Sequence, residues 1–161
     1  MRAKSGFTLV EILIVVVILG ILAAIVIPQF TDASTEAKTS SLCSDLQSMR
    51  SQIELYKIQH NDALPGTVDS VAFADSMTKY TLNDGTLAGT QAPGDGVYGP
   101  YLQKIPSNQF ISTAANQNVV TTVDTTPEAP TGASGWIYNK ATGEVRANDK
   151  YGTDDLEHFQ L

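Results

Sequence analysis

An unbroken apolar run from Ile12 to Ile27, closed by Pro28 and carrying one acid, Glu11, at its near end, limits what this chain can become. Phe7 to Ile27 is 21 residues. As a helix at roughly 1.5 Å per residue it spans about 31 Å, the thickness of a bilayer core. The chain can therefore cross a membrane once. An ionised Glu11 inside that block costs on the order of a few kcal/mol unless it is paired or reaches the interface. A partner for this carboxylate is the first functional expectation.

The run is not an ordinary secretory signal. Such a signal has a short apolar core followed by a small-x-small cleavage site. Here the apolar stretch is longer, and the small residue precedes it, at Gly6, flanked by Arg2 and Lys4. The next basic residue, Lys38, lies well beyond the span. By the positive-inside rule, residues 1–6 stay in the cytoplasm and the remainder lies outside.

Lys4-Ser5-Gly6-Phe7-Thr8-Leu9-Val10-Glu11 resembles the class III signal of type IV prepilins and type II secretion pseudopilins. The resemblance extends over about the first 60 residues, through Gly20, Pro28 and the helix beyond. It implies a cut between Gly6 and Phe7 by a membrane aspartic protease, the prepilin peptidase, and methylation of the new Phe7 amine. It also implies assembly of neighbouring copies through Phe7 and Glu11, and loss of helicity between Gly20 and Pro28 in a filament. Physical chemistry supports each role. Glycine at position 6 lets an extended backbone lie close to a protease's catalytic groups. The Phe7 ammonium of one subunit is a natural counter-ion for the Glu11 of its neighbour. Because each ion loses hydration, the pair's main value is in setting register and not in net affinity. Pro28 withholds a backbone donor from Ala24, so a bend or extended stretch is expected there.

Past Pro28, Leu42, Leu46, Met49, Ile53 and Tyr56 recur at spacings of four and three, an apolar stripe on a helix from about residue 29 to residue 60. The stripe is expected to pack on the chain's own C-terminal sheet. Glu36, Lys38, Asp45, Arg50, Glu54 and Lys57 read as a solvated face. A second helix is expected over 67–82, capped by Thr67, with Asp69 in its first turn and Val68, Val71, Ala72 and Met77 inward. Residues 83–99 read as a loop, and Tyr98 to Pro106 as irregular. Asn118 to Val123 reads as a strand, and Trp136-Ile137-Tyr138 with Glu144-Val145-Arg146 as a hairpin. Gly99-Pro100-Tyr101-Leu102, and Gly135-Trp136-Ile137-Tyr138-Asn139 with Gly143-Glu144-Val145, are similar to globular segments of short pseudopilin-like proteins. The expected fold is α+β and type IV pilin-like, a long N-terminal helix, transmembrane then amphipathic, on a small antiparallel C-terminal sheet. Its parts are a cleaved leader over 1–6, a transmembrane and assembly helix over 7–27, an amphipathic helix over 28–60 and a globular domain over 61–161.

The formal net charge of −7 becomes −9 once Arg2 and Lys4 leave with the leader, which makes nucleic acid a poor partner. With Cys43 the only cysteine, no internal disulfide can form. Many type IV pilins resemble one another in closing the C-terminal region with a disulfide. Cys43 reads as a small buried hydrophobe. His60 and His158 read as surface histidines, and no nucleophile constellation points to an enzyme. Asn148, Asp149, Asp154, Asp155 and Glu157 offer hard oxygen ligands around Gly152. Major pseudopilins resemble one another in holding calcium in a C-terminal loop. That makes calcium, held by Asp149, Asp154 and Asp155, the one cofactor to expect, although the Asp-Pro-Trp-Gly motif those proteins share is not found here.

The pseudopilin resemblance implies a structural subunit of a secretion filament, anchored once in a bacterial inner membrane with its domain periplasmic or extracellular. Its partners would be other copies of itself, minor pseudopilins, the peptidase and an inner-membrane assembly platform. The alternatives are a pilus subunit for adhesion, motility or DNA uptake, and a membrane-anchored binding domain.

Overall fold

A computed structural model of the chain describes residues 6–68, 70–90, 94, 96–151 and 157–161. Helix α1 runs from Leu9 to Gln59, 51 residues. It is followed by α2 (Phe73–Thr78), β1 (Thr81–Leu82), β2 (Val97–Tyr98), a 3-10 turn at Ala114–Asn116, β3 (Val120–Val123), β4 (Trp136–Asn139) and β5 (Val145–Ala147). The chain divides into two units, residues 1–38 and 39–161.

In the first unit α1 is helical through Gly20 and Pro28, with no extended stretch between them. A proline inside a helix costs about 3 kcal/mol. Opening the helix in an apolar stretch would leave several backbone groups without partners, at several kcal/mol each in lipid. The Thr31 and Thr35 hydroxyls donate to the carbonyls of Ile27 and Thr31, beyond the Ala24 carbonyl that Pro28 leaves without its donor.

The second unit is built on the predicted stripe. Leu42, Leu46, Met49, Ile53 and Tyr56 are all buried, in one core with Phe73, Met77, Tyr101, Ile105, Trp136, Tyr138, Val145 and Ala147. The α+β pilin-like reading holds, but the sheet is mixed. Strands β4 and β5 form the expected antiparallel hairpin, whereas β3 runs parallel to β4. The 124–135 connection is about a dozen residues, the length a parallel crossover needs. Strand β4 lies between its partners and is buried along its length.

Several local expectations change. The second helix occupies only Phe73–Thr78, because Tyr80 to Leu82 turns into β1, and β1 pairs antiparallel with β2 inside what read as a loop. Asp69 lies outside the described residues, Val71 and Met77 are buried as expected, and Ala72 is exposed in front of the helix while Phe73 takes the inward place. Arg50 is not on a solvated face. Its guanidinium donates to the carbonyls of Leu161 at 2.9 Å and Val145 at 3.1 Å. Both histidines are buried, each only 1% exposed.

Close approach explains two glycines. A Cβ on Gly135 would lie 1.9 Å from the Gln117 carbonyl oxygen, so any side chain there separates the 116–117 turn from the start of β4. Gly99, at φ 85°, would place a Cβ 2.9 Å from the Lys79 carbonyl, just where the Tyr101 and Leu102 amides dock on the Met77 carbonyl.

His60 stacks on Tyr56 at 3.8 Å between ring centroids. Its Nδ1 donates to the Tyr56 carbonyl at 2.8 Å, which leaves Nε2 to accept from the Thr81 hydroxyl at 3.0 Å. Desolvation holds this imidazole below its ordinary 6.5, against the smaller upward pull of the backbone contacts. The unfolded chain therefore takes up this proton at a higher pH than the folded one. The contribution is fully present above about 6.5 and is lost as pH falls through the folded value. Thermal melts between pH 7.5 and 5 should show declining stability, with a shallower slope in His60→Gln; parallel profiles for the two proteins would refute the assignment. The Tyr138 hydroxyl is buried with no hydrogen-bond partner among the described residues. An unmet buried hydroxyl costs about 1–3 kcal/mol, so Tyr138→Phe should leave stability unchanged or raise it by about 1 kcal/mol in denaturant melts.

Candidate functional site

Thr8 and Glu11 bracket the first turn of α1, which opens at Leu9. The Thr8 amide and hydroxyl both donate to Glu11 Oε2 at 2.7 Å, and the Glu11 amide donates to Thr8 Oγ1 at 3.2 Å. This is a reciprocal capping box, in which Ser or Thr and an acid three residues on satisfy each other's backbone donors. The sequence reading missed it, although the Thr-x-x-Glu spacing before an apolar run is its signal. Glu11 thus caps its own helix.

Phe7 is 79% exposed, and every large apolar residue from Leu9 to Ile27 is at least 40% exposed. The helix is long and apolar enough to cross a membrane. Each Leu, Ile, Val or Phe at a helix centre favours insertion by roughly 0.3–0.6 kcal/mol, against about 2.5–3.5 kcal/mol for a charged residue there. The run outweighs its one acid. A Cβ on Gly6 or Gly20 would meet nothing within 4 Å. Packing among the described residues therefore requires glycine at neither place.

The expected calcium ligands are not brought together by the described residues. Asp154 and Asp155 lie outside them, and among them no group of three or more His, Cys, Asp or Glu is placed to hold a metal. Asp149 is 1% exposed and its oxygens are engaged: Oδ1 accepts from His158 Nδ1 at 2.7 Å, and Oδ2 from Asn108 Nδ2 at 2.6 Å. Asn148 is equally committed, accepting from Thr131 and donating to Ser134. Cys43 is half-buried beside a cavity of about 110 Å³ lined also by Leu46, Gln47, Arg50 and Leu161.

An exposed apolar helix with an acid near its start, in front of a small α+β domain, defines the pilin-like class of membrane-anchored filament subunits. The family model described as the prokaryotic N-terminal methylation motif matches residues 1–27. The type II secretion system core protein G of Pseudomonas aeruginosa is 35% identical over 105 residues, 65% of this chain and 67% of that protein. The Vibrio cholerae protein of the same name is 37% identical over 110 residues, 68% of each chain. In the Aeromonas hydrophila protein the match covers 60 residues, 42% of its length. A fimbrial protein of Pseudomonas aeruginosa is 33% identical over 87 residues, 53% of this chain and 56% of that one. No solved structure matches. The chain belongs to the family of type II secretion system core protein G, the pseudopilins.

If Gly6 is read only by a peptidase, Gly6→Val should fold normally yet accumulate as an uncut precursor in the membrane. N-terminal sequencing of the processed wild type should read Phe-Thr-Leu-Val-Glu. A start anywhere beyond Ala24 would overturn the assignment.

Proposed function

We propose that this chain is a non-enzymatic building block of a type II secretion-like filament. Its leader is cut between Gly6 and Phe7 by a prepilin peptidase, the Phe7 amine is methylated, and α1 then packs beside other copies and minor pseudopilins on an inner-membrane platform. Arg2 and Lys4 preceding the span support a leader in the cytoplasm and a domain in the periplasm or outside the cell. The observation that carries this reading is the uncovered first half of α1 with Glu11 at its start. Lipid covers the apolar faces of a lone subunit, and neighbouring helices cover them in a filament. The Gly20 to Pro28 stretch, helical in the single chain, is where neighbours would draw the helix open. The fimbrial relative gives a pilus subunit as the second reading, over a shorter match. Calcium held by Asp149, Asp154 and Asp155 belongs to this proposal too, at the cost that Asp149 would exchange two protein donors for the ion.

The capping box supplies the sharper test. Glutamine can serve as the acceptor in such a box, so Glu11→Gln keeps the helix start and removes the charge. Membrane insertion should be unchanged or improved, since an expensive carboxylate is gone. Filament yield, measured by shearing or by crosslinking between copies, should fall about tenfold or more if the ion pair sets the register in which copies join. Normal yield and secretion in Glu11→Gln would leave Glu11 as a cap alone.

A further inference from the structure

Among the described residues, the two edges of the three-stranded sheet are finished differently. The Trp136 amide donates to the Val119 carbonyl, and the Lys140 amide to the Val123 carbonyl. In a parallel ladder of this register, Val119, Thr121 and Val123 therefore turn their backbone groups toward β4, and Val120 and Thr122 turn theirs away. Strand β3 has no further strand on that side. Thr121 and Thr122 are exposed, and among the described residues nothing bonds the outward amides and carbonyls of Val120 and Thr122. On the opposite edge the outward Val145 carbonyl is covered, accepting from the Arg50 guanidinium at 3.1 Å. Helix α2 meets the sheet on its core face, where Phe73 lies on Tyr138 at 4.2 Å between ring centroids. Soluble proteins usually blunt a bare edge with lysine, proline or a bulge. Residues 116–123 contain neither a charge nor a proline.

We propose that the outer edge of β3 is a docking site for an extended, basic segment of another protein, which adds a fourth strand to the sheet. The outward groups of Val120 and Thr122, two residues apart, offer two donors and two acceptors at the spacing a strand repeats. Charge selects the occupant. Residues 39–161 hold fourteen Asp and Glu against seven Lys and Arg, and the strand runs into Asp124, whose side chain is 78% exposed although it pairs with Lys140 at 3.2 Å. A basic segment is drawn to this acidic domain, whereas a second copy brings like charge to it. Pairing of β3 on β3 would also be twofold, closing after two copies. Main-chain bonds supply the affinity, so the segment is defined by its extended form and its positive charge. The site lies within the globular domain and is independent of the filament reading.

Amide exchange of the full chain in nonionic detergent micelles, with end-blocked synthetic hexapeptides added, decides it. The peptide Lys-Val-Thr-Val-Thr-Lys should slow exchange at Val120 and Thr122 roughly tenfold or more, and Glu-Val-Thr-Val-Thr-Glu should not. The lysine peptide methylated at its backbone amides should not bind, because its donors are gone. Thr122→Pro removes one outward donor without touching the ladder to β4, a place where an edge strand accepts proline. This variant should fold and bind the lysine peptide at least roughly tenfold more weakly. The docking site is wrong if the lysine peptide gives no protection at about 1 mM, if the glutamate peptide protects equally, or if the methylated peptide binds like its parent. Protection that grows with protein concentration alone would give the edge to a second copy and overturn the proposal too. Should Thr122→Pro unfold, the methylated peptide decides in its place.

Discussion

Backbone hydrogen bonds closed within one segment let a single helix serve two solvents. Lipid offers no donors or acceptors, so only a structure that satisfies its own backbone can lie there. Helix α1 does this from Leu9 onward. Its first half turns apolar side chains outward all round, while its second half buries the stripe from Leu42 to Tyr56 and leaves Leu55 and Ile58 exposed. The same backbone geometry thus carries an all-round pattern suited to lipid and neighbours and a one-sided pattern suited to a core. The capping box at Thr8 and Glu11 extends this self-sufficiency to the helix start, where the first amides would otherwise lack partners.

The sequence made the helical stripe and the β4–β5 hairpin legible because both depend on local periodicity. All five stripe residues are buried, and the hairpin strands fall within a residue or so of their expected positions. What escaped depends on partners far along the chain. A strand pattern at 120–123 looks the same whether its neighbour runs parallel or antiparallel, and the connection decides. Arg50 looked solvated because its acceptors lie 95 and 111 residues away. His60 and His158 looked superficial because nothing nearby in sequence announces Thr81 or Asp149. The membrane-length apolar run was legible in the sequence, and the capping role of Glu11 had a signal too, in the Thr-x-x-Glu spacing before that run.

The two ends of the domain's polar interior differ in kind. Around His60 a neutral imidazole is held among aromatic rings by a carbonyl and a hydroxyl, and burial disfavours its charged form. Around His158 the imidazole faces a carboxylate. Removing a partner from that second site leaves a buried acid unpaired, typically a larger loss than removing a neutral contact. Residues of α1 enter both sites, Tyr56 at the first and Thr39 at the second, so packing of the apolar stripe and satisfaction of these groups cannot be separated.

The core joins residues that are synthesised far apart in time. The Arg50 to Val145 contact bridges 95 residues, so at 5–20 residues per second the helix waits roughly 5–20 s for the strand that covers it. Throughout that interval Leu42, Leu46, Met49, Ile53 and Tyr56 are an uncovered greasy edge on a chain whose N-terminal run already binds lipid. Anchorage keeps such a nascent chain from diffusing into contact with others in bulk solution, and confines its slow, long-range folding to the membrane surface.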